Sequence, residues 1–265
     1  MKPLAELTDD VAAGIRGVFV DIDDTLTSDG FLTAGAYTSL EHLHACGILV
    51  APITGRPAGW CDHIARMWPV DAVVGENGAF YFRYDHETRR MHRHYQLDDK
   101  ARAENRRRLE AIKTEILSQV PGAAVSADQR YREADLAIDF CEDVPRLPDE
   151  QVQRIVSLFE KAGARAKVSS IHVNGWFGDY DKLSMTRTMM RECFGVDLDA
   201  SREHYAFVGD SPNDGPMFGY FPLSVGVANI ERFRSRLKAM PAYVTESPGG
   251  AGFSETAVRL LRARP

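Results

Sequence analysis

Residues 17–30 read GVFVDIDDTLTSDG, and Asp21, Asp23 and Asp24 place three carboxylates in four positions directly behind the apolar run Val18-Phe19-Val20. Acidic residues are poor strand formers, and like charges this close repel one another. Residues two apart on an extended chain face the same side, so Asp21 and Asp23 can project toward one site. Two close anions there need a counter-cation, and hard carboxylate oxygens suit Mg2+. Asp210 and Asp214, in GDSPND, supply two more carboxylates after another apolar run. Either segment alone can be read as an acidic turn that caps a helix. Their joint occurrence at two strand ends favours the cation-binding reading.

Two further segments could complete such a site. In ITGRP, Thr54 and the Gly55 amide sit where a strand hands over to a helix, a place suited to phosphate oxygens. A plain strand-helix turn, with Pro57 near the first helical position, is the competing reading. Lys182, opening a helix in DYDKLS, can act as a point cation toward a phosphate or a carboxylate. Its weight comes from the other motifs, because isolated lysines are ordinarily solvated.

Elements that would hold these residues are readable around them. GVFVDI, ILVAPIT and VDAVVGE are short apolar runs separated by helix-period segments, the pattern of a parallel sheet covered on both faces. The pattern then changes to a hairpin (GAFYFRY and RMHRHYQL), a charged helix, the strand-like DLAIDF, a helix from PDEQ onward, and a strand-like AKVSSIHVN. The first rhythm returns with KLSMTRTMMRECFG, YAFVGD, NDGPMFGYF and LSVGVA, and the chain closes with a helix near FSETAVRLLRA. The expected fold class is α/β, a doubly wound, Rossmann-like parallel sheet core with an inserted α+β cap domain. Residues 1–85 and 179–265 form the core in this reading, and residues 86–178 the insertion. In open sheets of this kind ligands bind beyond the carboxyl ends of the strands, where all four segments lie.

Bulk properties narrow the classes. The 265-residue chain carries a formal net charge of −6 and is 44% hydrophobic, which gives no global electrostatic reason to bind nucleic acid or an anionic membrane. Four scattered cysteines show no zinc-site spacing and are expected to be reduced, as in a cytosol. No apolar stretch approaches the roughly 20 residues needed to cross a bilayer. A soluble, cytoplasmic protein, monomer or homodimer, is the expectation.

In combination, D-x-D-x-T at 21–25, the strand-end Thr54, Lys182 and G-D-x-x-N-D at 209–214 make the chain similar to the haloacid dehalogenase superfamily. The insertion and GENGA at 75–79 resemble the Cof-type subgroup, which includes sucrose-phosphate and mannosyl-3-phosphoglycerate phosphatases and also phosphomannomutases. The resemblance covers the core; the cap matches only in size and element order. It implies a Mg2+-dependent phosphatase acting on a small-molecule phosphate ester, with sugar or glycosyl phosphates leading. Asp21 is then the nucleophile that forms an aspartyl-phosphate, and Asp23 the general acid and base. The resemblance also implies that Asp21, the Asp23 carbonyl, Asp210 and Asp214 hold Mg2+, and that Thr54, Gly55, Lys182 and Asn213 surround the phosphoryl oxygens. Asp24 stands where many relatives have Gly and is read as a turn residue. A phosphomannomutase-like phosphotransferase is the enzyme alternative. A signalling receiver, or a non-catalytic binding protein on the same scaffold, is a remote one.

Specificity is expected from the rim and the cap. Arg56 follows the Thr54-Gly55 turn. QRYREADLAID offers Arg132 and Glu133, while IHVNGWFGDYDK offers His172, Asn174 and Trp176, a set suited to a polyol. Arg106 to Arg108 are expected on a solvated helix face, and His92 and His94 on one side of a solvated strand. SPGGAGFSE at 247–255 reads as a surface loop entering the last helix.

Overall fold

The computed structural model describes residues 1–264. A six-stranded, all-parallel sheet is built from Lys2–Pro3, Tyr243–Val244, Leu223–Gly226, Tyr205–Gly209, Gly17–Val20 and Leu49–Pro52, in that spatial order. Alternate residues of the central strands feed two separate cores, as the pleat requires. Val18, Val20, Val50 and Val208 pack with the Ala34–Ala45 and Gly249–Arg262 helices, while Phe19, Ala51 and Phe207 pack with Met185, Met189 and Met217. Burial on both faces explains why these strands read as unbroken apolar runs.

An isolated parallel bridge, Ile53 to Val74, carries the sheet on to a three-stranded antiparallel one formed by Val73–Gly75, Phe80–Asp85 and Arg90–Tyr95. Phe80 and Phe82 from its middle strand are buried in the first core. Beyond it lies a four-stranded antiparallel sheet in the order Ala124–Val125, Asp135–Asp139, His172–Trp176, Arg165–Val168. The Asp99–Gln119 and Asp149–Lys161 helices cover one face of it through Ile112, Ile116, Ile155 and Phe159 against Leu136, Ile138 and Val173. Gly175 is required there, since a Cβ would come 2.1 Å from the Phe159 ring. The other face carries Asp135, Asp139, His172 and Asn174, all buried, because it is turned toward the core.

Two local readings are corrected. AKVSSIHVN is two antiparallel strands, with Val173 opposite Val168; the Ser169 hydroxyl accepts from the His172 amide and closes the turn. SPGGAGFSE is no surface loop, for Gly249, Gly250 and Gly252 are buried in the first turns of the last helix. A Cβ on Gly250 would stand 2.7 Å from the Leu26 carbonyl, so the run of glycines lets the helix seat directly on the acidic loop. Among the described residues no helix is long and apolar enough to cross a membrane.

Candidate active site

Asp21 follows the Gly17–Val20 strand, its amide donating to the Val208 carbonyl of the neighbouring strand at 2.9 Å. That strand continues into Asp210, so the two acidic segments meet because their strands are adjacent. Asp21, Asp210 and Asp214 are all buried, and one carboxylate oxygen of each lies within 4.8 Å of the others. Lys182 Nζ, also buried, sits 2.8 Å from Asp21 Oδ1 and 2.7 Å from Asp214 Oδ1. Burial pushes the Asp21 carboxyl up to about 7, with Asp214 and Asp23 adding to the rise against Lys182. Asp210 is raised well above the carboxylate range by burial, then by Asp21 and Asp214. Burial opposes the Lys182 charge, yet Asp21 and Asp214 outweigh it and hold the ammonium above its ordinary value. Arg232 Nη2 also lies 3.4 Å from Asp210 Oδ2 and is shared with Asp24, so two cations face four carboxylates and negative charge is left in excess. An all-oxygen donor set of this charge fits a hard divalent cation such as Mg2+.

Gly55 and Asn213 line one small cavity with Asp21, and Thr54 directly precedes Gly55. Thr54 is buried and its Oγ1 accepts from the Arg56 amide at 3.0 Å, which leaves the hydroxyl proton free to donate. Asn213 Oδ1 accepts from the Ser211 hydroxyl, so its Nδ2 is the end left for a ligand. A small cavity is lined by Asp21, Asp23, Gly55, Arg56, His172, Asn174 and Asn213, joining the core motifs to the polar face of the cap sheet.

Asp23 has a separate partner. Arg56 Nε and Nη2 donate to its carboxylate at 2.9 and 2.7 Å, and Nη2 also reaches Glu142 Oε1 at 2.8 Å. Glu142 Oε2 in turn lies 2.8 Å from His172 Nε2. Arg56 is held above its ordinary value because Asp23 and Glu142 outweigh the cost of its burial. Glu142 is pulled down to about 2, burial being outweighed by His172 and Arg56. Asp24 adopts φ 56°, a conformation that favours Gly, and its side chain pairs with Arg232 at 2.9 Å. The turn reading of Asp24 thus fits, and Arg232 is a partner the sequence did not suggest.

Of the residues expected from the cap, His172, Asn174 and Arg132 reach the cavity. Arg132 is fully paired, to Asp128 and Asp135, and donates to the Gly55 carbonyl at 2.9 Å. Two others do not reach it. Trp176 is 1% exposed and packed in the core against Tyr180, with ring centroids 5.9 Å apart. Its position at the base of the cap strand, opposite Asp135, points it into the core-cap junction. The Glu133 side chain turns outward to Arg106. Glu142, Asp128 and Ser169 were missed, each lying on a loop or turn whose sequence carries no motif.

The Glu142 carboxylate makes a checkable contribution. Its folded value lies below the unfolded one, so its stabilisation is present above about 4.5 and lost as pH falls toward 2. Glu142→Gln should cost about 1–2 kcal/mol at pH 7, discounted for its partial exposure, and almost nothing near pH 2. Denaturant titrations at both pH values read the difference; an equal cost at both would show that the charge is not what matters.

Residues 18–133 match the model of a family described as haloacid dehalogenase-like hydrolase. That segment, a little under half of the chain, is similar to haloacid dehalogenase-like hydrolases. Solved structures share the fold of this chain over more than nine-tenths of its length. One is the Thermoplasma acidophilum protein 0175, with TM-score 0.70 and 18% identity, covering 93% of this chain and 98% of the other. A second is a HAD/COF-like hydrolase from Plasmodium vivax, with TM-score 0.68 and 16% identity over 97% and 100% of the two chains. A third is the sucrose-phosphatase of Synechocystis, solved with sucrose and phosphate, with TM-score 0.62 and 15% identity over 92% and 97%. No curated protein matches the chain by sequence. Lys182, Asp210 and Asp214 lie outside the matched segment, yet the fold of this chain brings them to Asp21.

Proposed function

We propose that this protein is a Mg2+-dependent phosphatase of small phosphate esters that works through a phosphoryl group carried on Asp21. The observation that carries the reading is the Lys182 ammonium held between Asp21 and Asp214, beside Asp210, at the end of two adjacent strands. Asp21, Asp210 and Asp214 are the side chains that would hold the metal, with the Asp23 carbonyl completing the set. Bound there, Mg2+ would supply charge neutralisation for an anionic ester approaching an anionic nucleophile.

The chain's own groups account for the rest. Asp21 attacks phosphorus and the P–O bond to the leaving group breaks, with the alkoxide taking a proton from Asp23. Asp23 then takes a proton from the water that displaces phosphate from Asp21. Arg56 orients the Asp23 carboxyl through two nitrogens. Lys182, the Thr54 hydroxyl, the Gly55 amide and Asn213 Nδ2 serve the phosphoryl oxygens, where charge develops.

A neutral, hydroxyl-rich leaving group, as in a sugar phosphate, suits the cap side. Arg56 and Arg132 are both committed to carboxylates, and these two guanidinium groups face four, Asp23, Asp128, Asp135 and Glu142, so a second anion would meet a wall with excess negative charge. The Synechocystis relative, described with sucrose and phosphate, agrees with this preference. A screen of sugar phosphates, phosphoglycerates and nucleotides tests it: neutral sugar esters should be turned over best, and a preference for carboxylate-bearing esters would refute it.

Metal removal has a defined outcome. EDTA should abolish turnover and Mg2+ should restore it. The metal should also raise the melting temperature, because it relieves repulsion among buried carboxylates that exists only in the folded state. An unchanged melting temperature across a Mg2+ titration would argue against the three-carboxylate site.

A further inference from the structure

The turn Glu76-Asn77-Gly78 has three consecutive residues at positive φ, 43°, 55° and 105°. Two of them are not glycine, so the conformation is maintained against its local cost by what surrounds it. The turn is wedged between the two segments that face the phosphate. On one side the Glu76 amide donates to the Arg56 carbonyl at 3.1 Å and the Asn77 amide to the Thr54 carbonyl at 3.0 Å. On the other, Gly78 lies so close to the Asp181-Lys182 backbone that a Cβ would come 2.1 Å from the Asp181 carbonyl oxygen.

From this turn the Glu76 side chain, 0% exposed, reaches into the cap. It accepts from the backbone amides of Glu133 at 2.9 Å, Ala134 at 2.6 Å and Asp135 at 3.2 Å, where the cap strand begins. It also accepts from the Ala58 amide at 3.0 Å, at the start of the Ala58–Met67 helix that follows the Thr54–Arg56 loop. One carboxylate therefore gathers four N–H groups from the cap base and the phosphate loop. The residues it fixes adjoin Arg132, whose Nη1 bonds the Gly55 carbonyl.

We propose that Glu76 is a positioning residue that sets the register of the cap on the phosphate-binding loop. The part of this that concerns turnover rests on the phosphatase reading above; the structural part does not. The hydrogen bonds of the Glu76 side chain go to the amides of Ala58, Glu133, Ala134 and Asp135 and to none of Thr54, Gly55, Lys182, Asn213 or the carboxylate triad. Its effect is on how the cap's polar face meets the cavity.

Glu76→Gln keeps the shape but turns one acceptor oxygen into a donor facing other donors. Amide exchange by NMR or mass spectrometry is the primary measurement. In the wild type, the Glu133 and Ala134 amides should be protected like core amides although both residues are only half-buried. In the variant their exchange should speed up about tenfold or more while protection of the central strands holds. Fast exchange at 133–135 in the wild type would overturn the proposal, even if the variant failed to fold. With a sugar phosphate, kcat/KM of the variant should fall about tenfold, against less than about threefold for p-nitrophenyl phosphate, which needs little from a cap. Equal losses on both substrates would overturn the register role and leave Glu76 a support of the core. A wild type without phosphatase activity would refute the proposed function, while the exchange measurement would still decide the role of Glu76.

Discussion

Asp21→Asn should lose about 10^4-fold or more of the p-nitrophenyl phosphate activity while folding at least as well as the parent. Asn has nearly the volume of Asp and cannot form the acyl phosphate. It also removes one buried negative charge from a cluster whose burial raises Asp21 to about 7. Lys182 keeps Asp214 as partner at 2.7 Å, so no charge is stranded by the change. A loss of activity accompanied by an unchanged or higher melting temperature in EDTA separates removal of the nucleophile from damage to the fold. Wild-type turnover in this variant would show that the nucleophile lies elsewhere.

Lys182→Met should be costly in both respects. Lys182 is 2% exposed and bridges two buried carboxylates. Removing one partner of a buried ion pair strands the other, at about 3–5 kcal/mol, and the phosphoryl group loses its fixed cation. The pH dependence follows from Asp21, whose folded value is raised above its unfolded 3.8. Such a carboxyl favours the folded state fully below about 4, and that contribution is lost as pH rises through the folded value. Without Lys182 the folded value rises further, so the deficit should be largest above pH 7 and shrink toward pH 5, as read by denaturant unfolding in EDTA. A deficit independent of pH would mean that Lys182 acts through packing of its aliphatic stem.

The elements most legible in the sequence were those whose burial is two-sided. GVFV and YAFVG are continuous apolar runs because both faces are covered, and the acidic residues that end them mark the sheet edge where the site forms. Lys182 was legible only through the company of those motifs. What escaped the sequence was pairing across the fold. Arg56 and Glu142 are 86 positions apart, and only the seating of the cap brings them to 2.8 Å. The turn at Ser169–Ile171 carries no Gly or Pro to announce it, so two strands read as one. Trp176 looked like a ring for stacking on a sugar, but side-chain type alone does not tell a binding face from a buried one; its place opposite Asp135 at the base of the cap strand decides that. The glycines at 249–252 looked like a loop because Gly more often marks loops than helix starts. Here they allow the helix to approach the Leu26 carbonyl.

The most direct test is to trap the covalent species. Enzyme quenched during turnover of a sugar phosphate and reduced with tritiated borohydride converts an acyl phosphate to the corresponding alcohol, homoserine in the case of Asp. Peptide mass spectrometry should then find the label at position 21 alone, and none in enzyme quenched without substrate. Label at Asp23, Asp210 or Asp214, or steady turnover with no label on any carboxylate, would contradict Asp21 as the group that carries the phosphoryl.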